Sequence, residues 1–190
     1  MAAFLLSFGV IFVAELGDKS QLMALAFAAR YRALPVLLGI GGATLLVHAG
    51  SVLIGRIAAV AIPSDLIAIV AGLAFFAFAA WTLRGDKLDE ADEARAARSA
   101  SSVVLAVGIA FFLAELGDKT MLATITLATT EEPLGTWLGS TAGMIVADAL
   151  AIGVGRMLGT RLPERAIRIG AAVAFVAFGV LLVAEGLHFL

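Results

Sequence analysis

Four carboxylates stand where a carboxylate is hardest to keep. Glu15 and Asp18 lie inside one long apolar run, and Glu115 and Asp118 lie inside another. Each pair sits in the same local string, Ala14-Glu15-Leu16-Gly17-Asp18-Lys19-Ser20 and Ala114-Glu115-Leu116-Gly117-Asp118-Lys119-Thr120. A single charge at mid-bilayer costs at least ~2.5 to 3.5 kcal/mol, so such residues face a bundle interior or wet cavity and mark transport paths. If each string is helical, acids three apart share one face. One reading is internal neutralisation, with Glu15 pairing to Lys19 and Glu115 to Lys119 at i, i+4, which would only staple helices together. Two lysines against four carboxylates leave negative charge over, however, and a divalent cation complements it. The donors at hand are the carboxylates, the hydroxyls of Ser20 and Thr120, and backbone carbonyls near Gly17 and Gly117. This all-oxygen set suits Ca²⁺, Mn²⁺ or Mg²⁺ rather than Cu or Zn. The chain has no cysteine, which excludes disulfides, thiolate metal sites, Fe–S clusters and a thiol nucleophile.

Other polar residues sit deep in apolar sequence. Position 48 is His and position 148, one hundred residues on, is Asp. Two titratable groups at matched depth invite a proton relay, although a buried histidine also serves as an interior hydrogen-bonding group. Gln21 can hydrogen-bond within the site or simply pack. Met23 and Met121 lie near the motifs, where methionine usually packs. Glu185 falls near the end of the last apolar run, where interfacial solvation accounts for it.

The elements that must position these residues follow from a duplication. Offset by 100 positions, the motif strings align without a gap, Gly39 meets Gly139, Gly55-Arg56 meets Gly155-Arg156, Pro63 meets Pro163, and Phe75 and Phe78 meet Phe175 and Phe178. Each copy divides into three apolar segments, roughly 3–29, 35–60 and 64–84, then 102–129, 134–159 and 164–187, many long enough to cross ~30 Å of hydrocarbon. The breaks fall at Pro35, Pro63, Pro133 and Pro163, as expected of residues tolerated only at helix starts. Gly135, Gly139 and Gly143 are spaced for close helix approach. The composition agrees: 62% hydrophobic, 15% charged and mean hydropathy +1.05 are too apolar for a soluble domain. A net charge of −2 without a basic stripe gives no footprint for nucleic acid. The expectation is an all-α polytopic membrane protein of six transmembrane helices in one domain, 1–190. Repeat one covers 1–85 and repeat two 102–190, and the charged stretch 86–101 is a solvated linker.

Lysine and arginine counts orient it. Loops one, three and five hold ten of them and loops two and four hold only Arg56, so the linker is expected in the cytoplasm and both termini outside. Three helices per repeat is an odd number, so the second repeat enters the membrane in the opposite sense. That makes an inverted repeat, a plan that secondary transporters use to place a site near the midplane.

Both hexapeptides, Glu15 to Ser20 and Glu115 to Thr120, match in full the E-x-G-D-[KR]-[ST] signature, and the chain resembles the membrane family of Golgi manganese/calcium transporters and bacterial and chloroplast manganese transporters. The resemblance covers nearly the whole chain. It implies exchange of Mn²⁺ and Ca²⁺ for H⁺, with Glu15, Asp18, Glu115 and Asp118 as ligands of the transported ion and no resident cofactor. Lys19, Ser20, Gln21, His48, Lys119, Thr120 and Asp148 are then lining or relay groups. Crowded carboxylates out of water take up protons rather than stand as bare charges, so protons are the natural replacement for a departing metal. Inward proton flow would make the chain an exporter in a bacterial-type inner membrane, with metal ions, protons and lipid as its partners and a homodimer as a further option. A channel or uniporter shares the acidic lining and is separated by whether a pH gradient drives metal uphill. A membrane-embedded enzyme also needs intramembrane acids, but gives no reason to duplicate the fold with a lysine beside each pair.

Overall fold

The computed structural model describes residues 1–84, 102–158 and 164–187, and every regular element among them is an α-helix. In chain order these are α1 (Ala2–Glu15), α2 (Lys19–Arg30), α3 (Ala33–Ala61), α4 (Ser64–Arg84), α5 (Val103–Glu115), α6 (Lys119–Thr130), α7 (Pro133–Leu158) and α8 (Glu164–Gly186). Four stretches, Ala33–Ala61, Asp65–Arg84, Pro133–Gly155 and Ile169–Gly186, are long and apolar enough to cross a membrane, while α1 and α5 are apolar but shorter. The outer surface carries exposed Leu46, Leu53, Ile57, Val70, Val173 and Leu181, a display that suits lipid and not water. The chain is an all-helical membrane protein.

The segments 3–29 and 102–129 are not the continuous helices their apolar runs suggest. Each is broken at its motif, because Gly17 (φ +75°) and Gly117 (φ +77°) adopt the left-handed backbone region, where a side chain is strained. The residue before each glycine is extended, Leu16 at φ −62°, ψ 116° and Leu116 at φ −64°, ψ 114°. Glu15 and Asp18 therefore do not share a helix face, and neither do Glu115 and Asp118. Each glutamate closes one short helix and each aspartate precedes the next. The prolines behave as expected where they are described: Pro35 lies in the first turn of α3, Pro133 opens α7, and Pro63 precedes α4, its carbonyl accepting the Ile67 N–H at 2.9 Å. Pro163 and the linker 86–101 lie outside the described residues.

The two halves of the chain interlock. The main partner of α1 is α7, that of α5 is α3, and α4 pairs along its length with α8. Small residues permit these approaches. A Cβ on Gly39 of α3 would lie 2.7 Å from the Val104 carbonyl oxygen and 2.8 Å from Val107 Cβ on α5. One hundred residues on, a Cβ on Gly139 of α7 would lie 3.0 Å from Phe4 Cα on α1, and one on Gly143 would lie 2.6 Å from the Phe8 carbonyl oxygen. Between α4 and α8, the rings of Phe75, Phe78, Phe175 and Phe178 pack with centroids 5.7 to 6.1 Å apart, near the preferred range for aromatic pairs. These contacts fix the ends of α1 and α5, and hence both motifs, within the bundle.

Candidate functional site

At each motif one helix ends and another begins beside the buried acids, so helix termini meet at the acids. The N-termini of α2 and α6 bring partial positive charge to that level, which favours anionic side chains there. The turns are closed by Asp18 N–H to the Glu15 carbonyl at 3.1 Å and Asp118 N–H to the Glu115 carbonyl at 3.2 Å. Asp18 (φ −85°, ψ 168°) and Asp118 (φ −77°, ψ 168°) have cap backbone geometry but make no side-chain cap. Their carboxylates are used elsewhere.

They are used across the repeats. Lys119 Nζ lies 2.5 Å from Asp18 Oδ1, and Lys19 Nζ lies 2.9 Å from Asp118 Oδ1. The i, i+4 pairing of Glu15 with Lys19 and Glu115 with Lys119 is not formed; helix breakage removes the geometry that it needs, and each lysine serves the opposite motif. The glutamates instead accept hydroxyl hydrogens: Ser20 Oγ donates to Glu15 Oε1, and Thr120 Oγ1 donates to Glu115 Oε2 at 2.5 Å. Ser20 Oγ also lies 3.2 Å from Asp18 Oδ2.

Glu15, Asp18, Glu115, Asp118, Ser20 and Thr120 are all buried, with Glu15 and Glu115 at 0% exposure. Glu15 Oε2 and Glu115 Oε1 lack hydrogen-bond partners. So do both carboxylate oxygens of Asp148 and both ring nitrogens of His48, each fully buried. Asp148 lies within electrostatic reach of Glu15 and Glu115, and Asp18 acts on Asp148 in turn. Five acids thus share one low-dielectric region with two lysines, an arrangement in which the remaining negative charge calls for bound cations or protons. Among the described residues, no three acidic or imidazole side chains stand close enough to ligate one ion together. The lysines hold the two aspartates in this arrangement, so a metal ligated by all four motif acids would require them to let go.

Gln21 has a structural task that its sequence position left open. Its Oε1 accepts the Gly17 N–H at 2.9 Å, and its Nε2 donates to the Ala147 carbonyl at 3.1 Å. One side chain therefore ties the first motif's turn to α7 beside Asp148. At the equivalent position Met121 Sδ receives the Gly117 N–H at 3.2 Å, a weak acceptor with nothing further to donate. The Ala147 carbonyl had no sequence signal, since only the fold brings it to Gln21.

A helical membrane bundle with half-helix termini meeting over buried, incompletely paired acids is built as ion-translocating membrane proteins are built. The sequence profile of the divalent cation/proton antiporter GDT1 matches residues 3–90 and 103–188, and the chain belongs to that family. It is a transporter family and not an enzyme family. A Vibrio cholerae protein provisionally named a manganese exporter is 34% identical over 93% of this chain and 88% of its own length. The chloroplastic GDT1-like protein 2 of Oryza sativa is 34% identical over 94% of this chain and 60% of its own. The chloroplastic protein PAM71 of Arabidopsis thaliana is 33% identical over 97% and 57%. The chain thus spans most of the bacterial relative but under two thirds of the plant ones. No solved structure gives a significant match.

Proposed function

We propose that this chain exports Mn²⁺, and Ca²⁺ where it is offered, from the cytoplasm in exchange for protons, with Glu15, Asp18, Glu115 and Asp118 as the ligands of the transported ion. The reading places six spans in two inverted repeats, 1–85 and 102–190, with the linker 86–101 cytoplasmic and both termini outside, in a bacterial-type inner membrane. In it, α1 with α2, and α5 with α6, each make one broken span. The observation that carries the site is the reciprocal pairing of Lys119 with Asp18 and Lys19 with Asp118, which joins the two motifs into one charged centre. Support for the direction comes from the lysine and arginine bias of the loops together with an inward proton gradient. A homodimer is not needed by this reading, because one chain carries both motifs.

Within the centre, Ser20 and Thr120 orient the glutamates, Gln21 holds the first turn against α7, and Asp148, within electrostatic reach of Glu15 and Glu115, carries protons. His48 lies on α3 at the position equivalent to Asp148 and serves as a second relay group. Metal and protons compete for the same oxygens, so apparent metal affinity at the cytoplasmic face falls as that face is acidified. The test is Mn²⁺ flux in reconstituted vesicles containing a pH-sensitive dye. Glu15→Gln and Asp118→Asn preserve volume, remove charge and should abolish flux while the protein stays folded. Near-normal flux in both would refute the four-carboxylate site, and metal movement with no proton movement and no response to a pH gradient would favour a channel.

A further inference from the structure

The two lysine–aspartate pairs are equivalent in sequence and unequal in the structure. The Lys19 side chain is 26% exposed and that of Lys119 is 3% exposed, although both aspartates are buried. The turns beside them differ in the same sense. Leu116 and Gly117, next to the Asp118 that Lys19 reaches, are exposed, whereas Leu16 and Gly17, next to the partner of Lys119, are half-buried. An ammonium group inside a membrane bundle is costly to leave against hydrocarbon, which favours water at the exposed face of Lys19.

Packing of the half-helices explains the imbalance. α6 lies broadly against α3 and also against α4. Its counterpart α2 lies less extensively against α7 and makes at most marginal contact with α8. The pair α1 and α6 touch more extensively than the pair α2 and α5. The side of the charged centre at α1 and α6 is therefore more tightly walled than the side at α2 and α5, where α5 is well packed on α3 but α2 is sparsely packed.

We infer that the two reciprocal pairs are the innermost closures of two access routes, and that in this conformer the route that ends at Lys119–Asp18 is shut along its length while the route that ends at Lys19–Asp118 is open as far as that pair, which is itself formed. This rests on the site and orientation proposed above, which put α2 and α5 in the cytoplasmic half, so the conformer faces the cytoplasm. Each lysine acts as a tethered cation that occupies an aspartate of the opposite motif until cargo displaces it. Outward release then requires Lys119 to leave Asp18, with α2 and α5 closing over Lys19.

The chain holds three lysines, Lys19, Lys87 and Lys119, so the unaltered protein tests the inference. Vesicles of known orientation, free of metal, are treated with a membrane-impermeant sulfonated acylating reagent, and each lysine is read by mass spectrometry. From the face that labels Lys87 in the linker, Lys19 should react roughly tenfold or more faster than Lys119, as unequal opening demands. Because the protein lacks cysteine, Lys19→Cys and Lys119→Cys treated with a cationic thiol reagent should give the same order. Equal rates, faster reaction at Lys119, an unreactive Lys19, or reaction of Lys19 only from the face opposite Lys87 would each overturn the inference. Failure of the underlying site is distinguishable, since it would appear as intact Mn²⁺ flux in Glu15→Gln whatever the labelling.

Discussion

Replacing Gly143 by alanine should loosen the protein by moving one motif. A Cβ there would lie 2.6 Å from the Phe8 carbonyl oxygen, 3.1 Å from the Phe12 nitrogen and 3.3 Å from the Phe8 carbonyl carbon. All three are backbone atoms of α1 and cannot rotate aside. Ordinary contact begins near 3.4 Å, so α1 must retreat by about 0.8 Å, and overpacking of this kind costs about 1–3 kcal/mol. Alanine is also the better helix former by ~1 kcal/mol, so the raw effect understates the clash. Gly42 supplies the control, because nothing lies within 4 Å of its Cβ position and Gly42→Ala carries the helix gain without the clash. The two variants should therefore differ by about 2 kcal/mol, or about 4–8 °C in Tm for a chain of this size. The assay is thermal unfolding in one detergent, followed by Mn²⁺ flux, which should fall in Gly143→Ala because α1 carries Glu15 at its end. Equal Tm for the two variants would refute the claim that α1 is held against α7 at this distance.

Further expectations follow from the same geometry. Lys119→Met, which strips a buried aspartate of its lysine, should destabilise by about 3–5 kcal/mol. Lys19→Met should cost less, because the Lys19 side chain is 26% exposed and its charge is already partly solvated, although Asp118 is buried; adding Asp18→Asn to Lys119→Met should recover much of the first loss, and the reverse order of stabilities would contradict the unequal burial. Phe75→Ala should cost about 3–5 kcal/mol by emptying the ring cluster between α4 and α8, and a neutral result would show that the cluster is not the joint between the halves. Glu132, outside the spans, is held below its ordinary carboxylate value by the N–H groups of Gly135 and Leu134. The lowered value means that its stabilisation is present above the ordinary value and is lost as pH falls through the folded one. The stability gap between wild type and Glu132→Gln should therefore close in acid, and a gap unchanged with pH would dismiss it.

What sequence could and could not show divides by range along the chain. Local signals carried far: apolar runs identified a helical membrane protein, and Pro35, Pro63 and Pro133 fell at helix starts. The helix breaks are also written locally. A glycine suited to the left-handed region followed by an aspartate, Gly17-Asp18 and again Gly117-Asp118, is a stop signal beside a start signal, but hydrophobicity on both sides masked it. Partners were out of reach. Nothing along the chain says that Lys119 serves Asp18 rather than Glu115, because that choice depends on two half-helices meeting from distant segments. The same holds for Gln21 and the Ala147 carbonyl, and for Asp148, whose nearness to the motif glutamates belongs to the packing of α1 against α7.

That packing also bears on how the protein is made. Helix α1, with 14 residues, is too short to cross a bilayer alone, and its main partner α7 begins at Pro133. At ~5–20 residues per second, about 120 further residues take a ribosome roughly ten seconds to add. Throughout that interval Glu15 has Ser20 beside it but neither Asp148 nor the wall that α7 supplies. On this packing the expectation is that α1 finds its place only when the second half arrives, with the insertion machinery sheltering an acid-tipped half-helix until then. A chain stopped before Pro133 would leave the ribosome with its first helix unmatched, a substrate for quality-control proteolysis and not a smaller transporter.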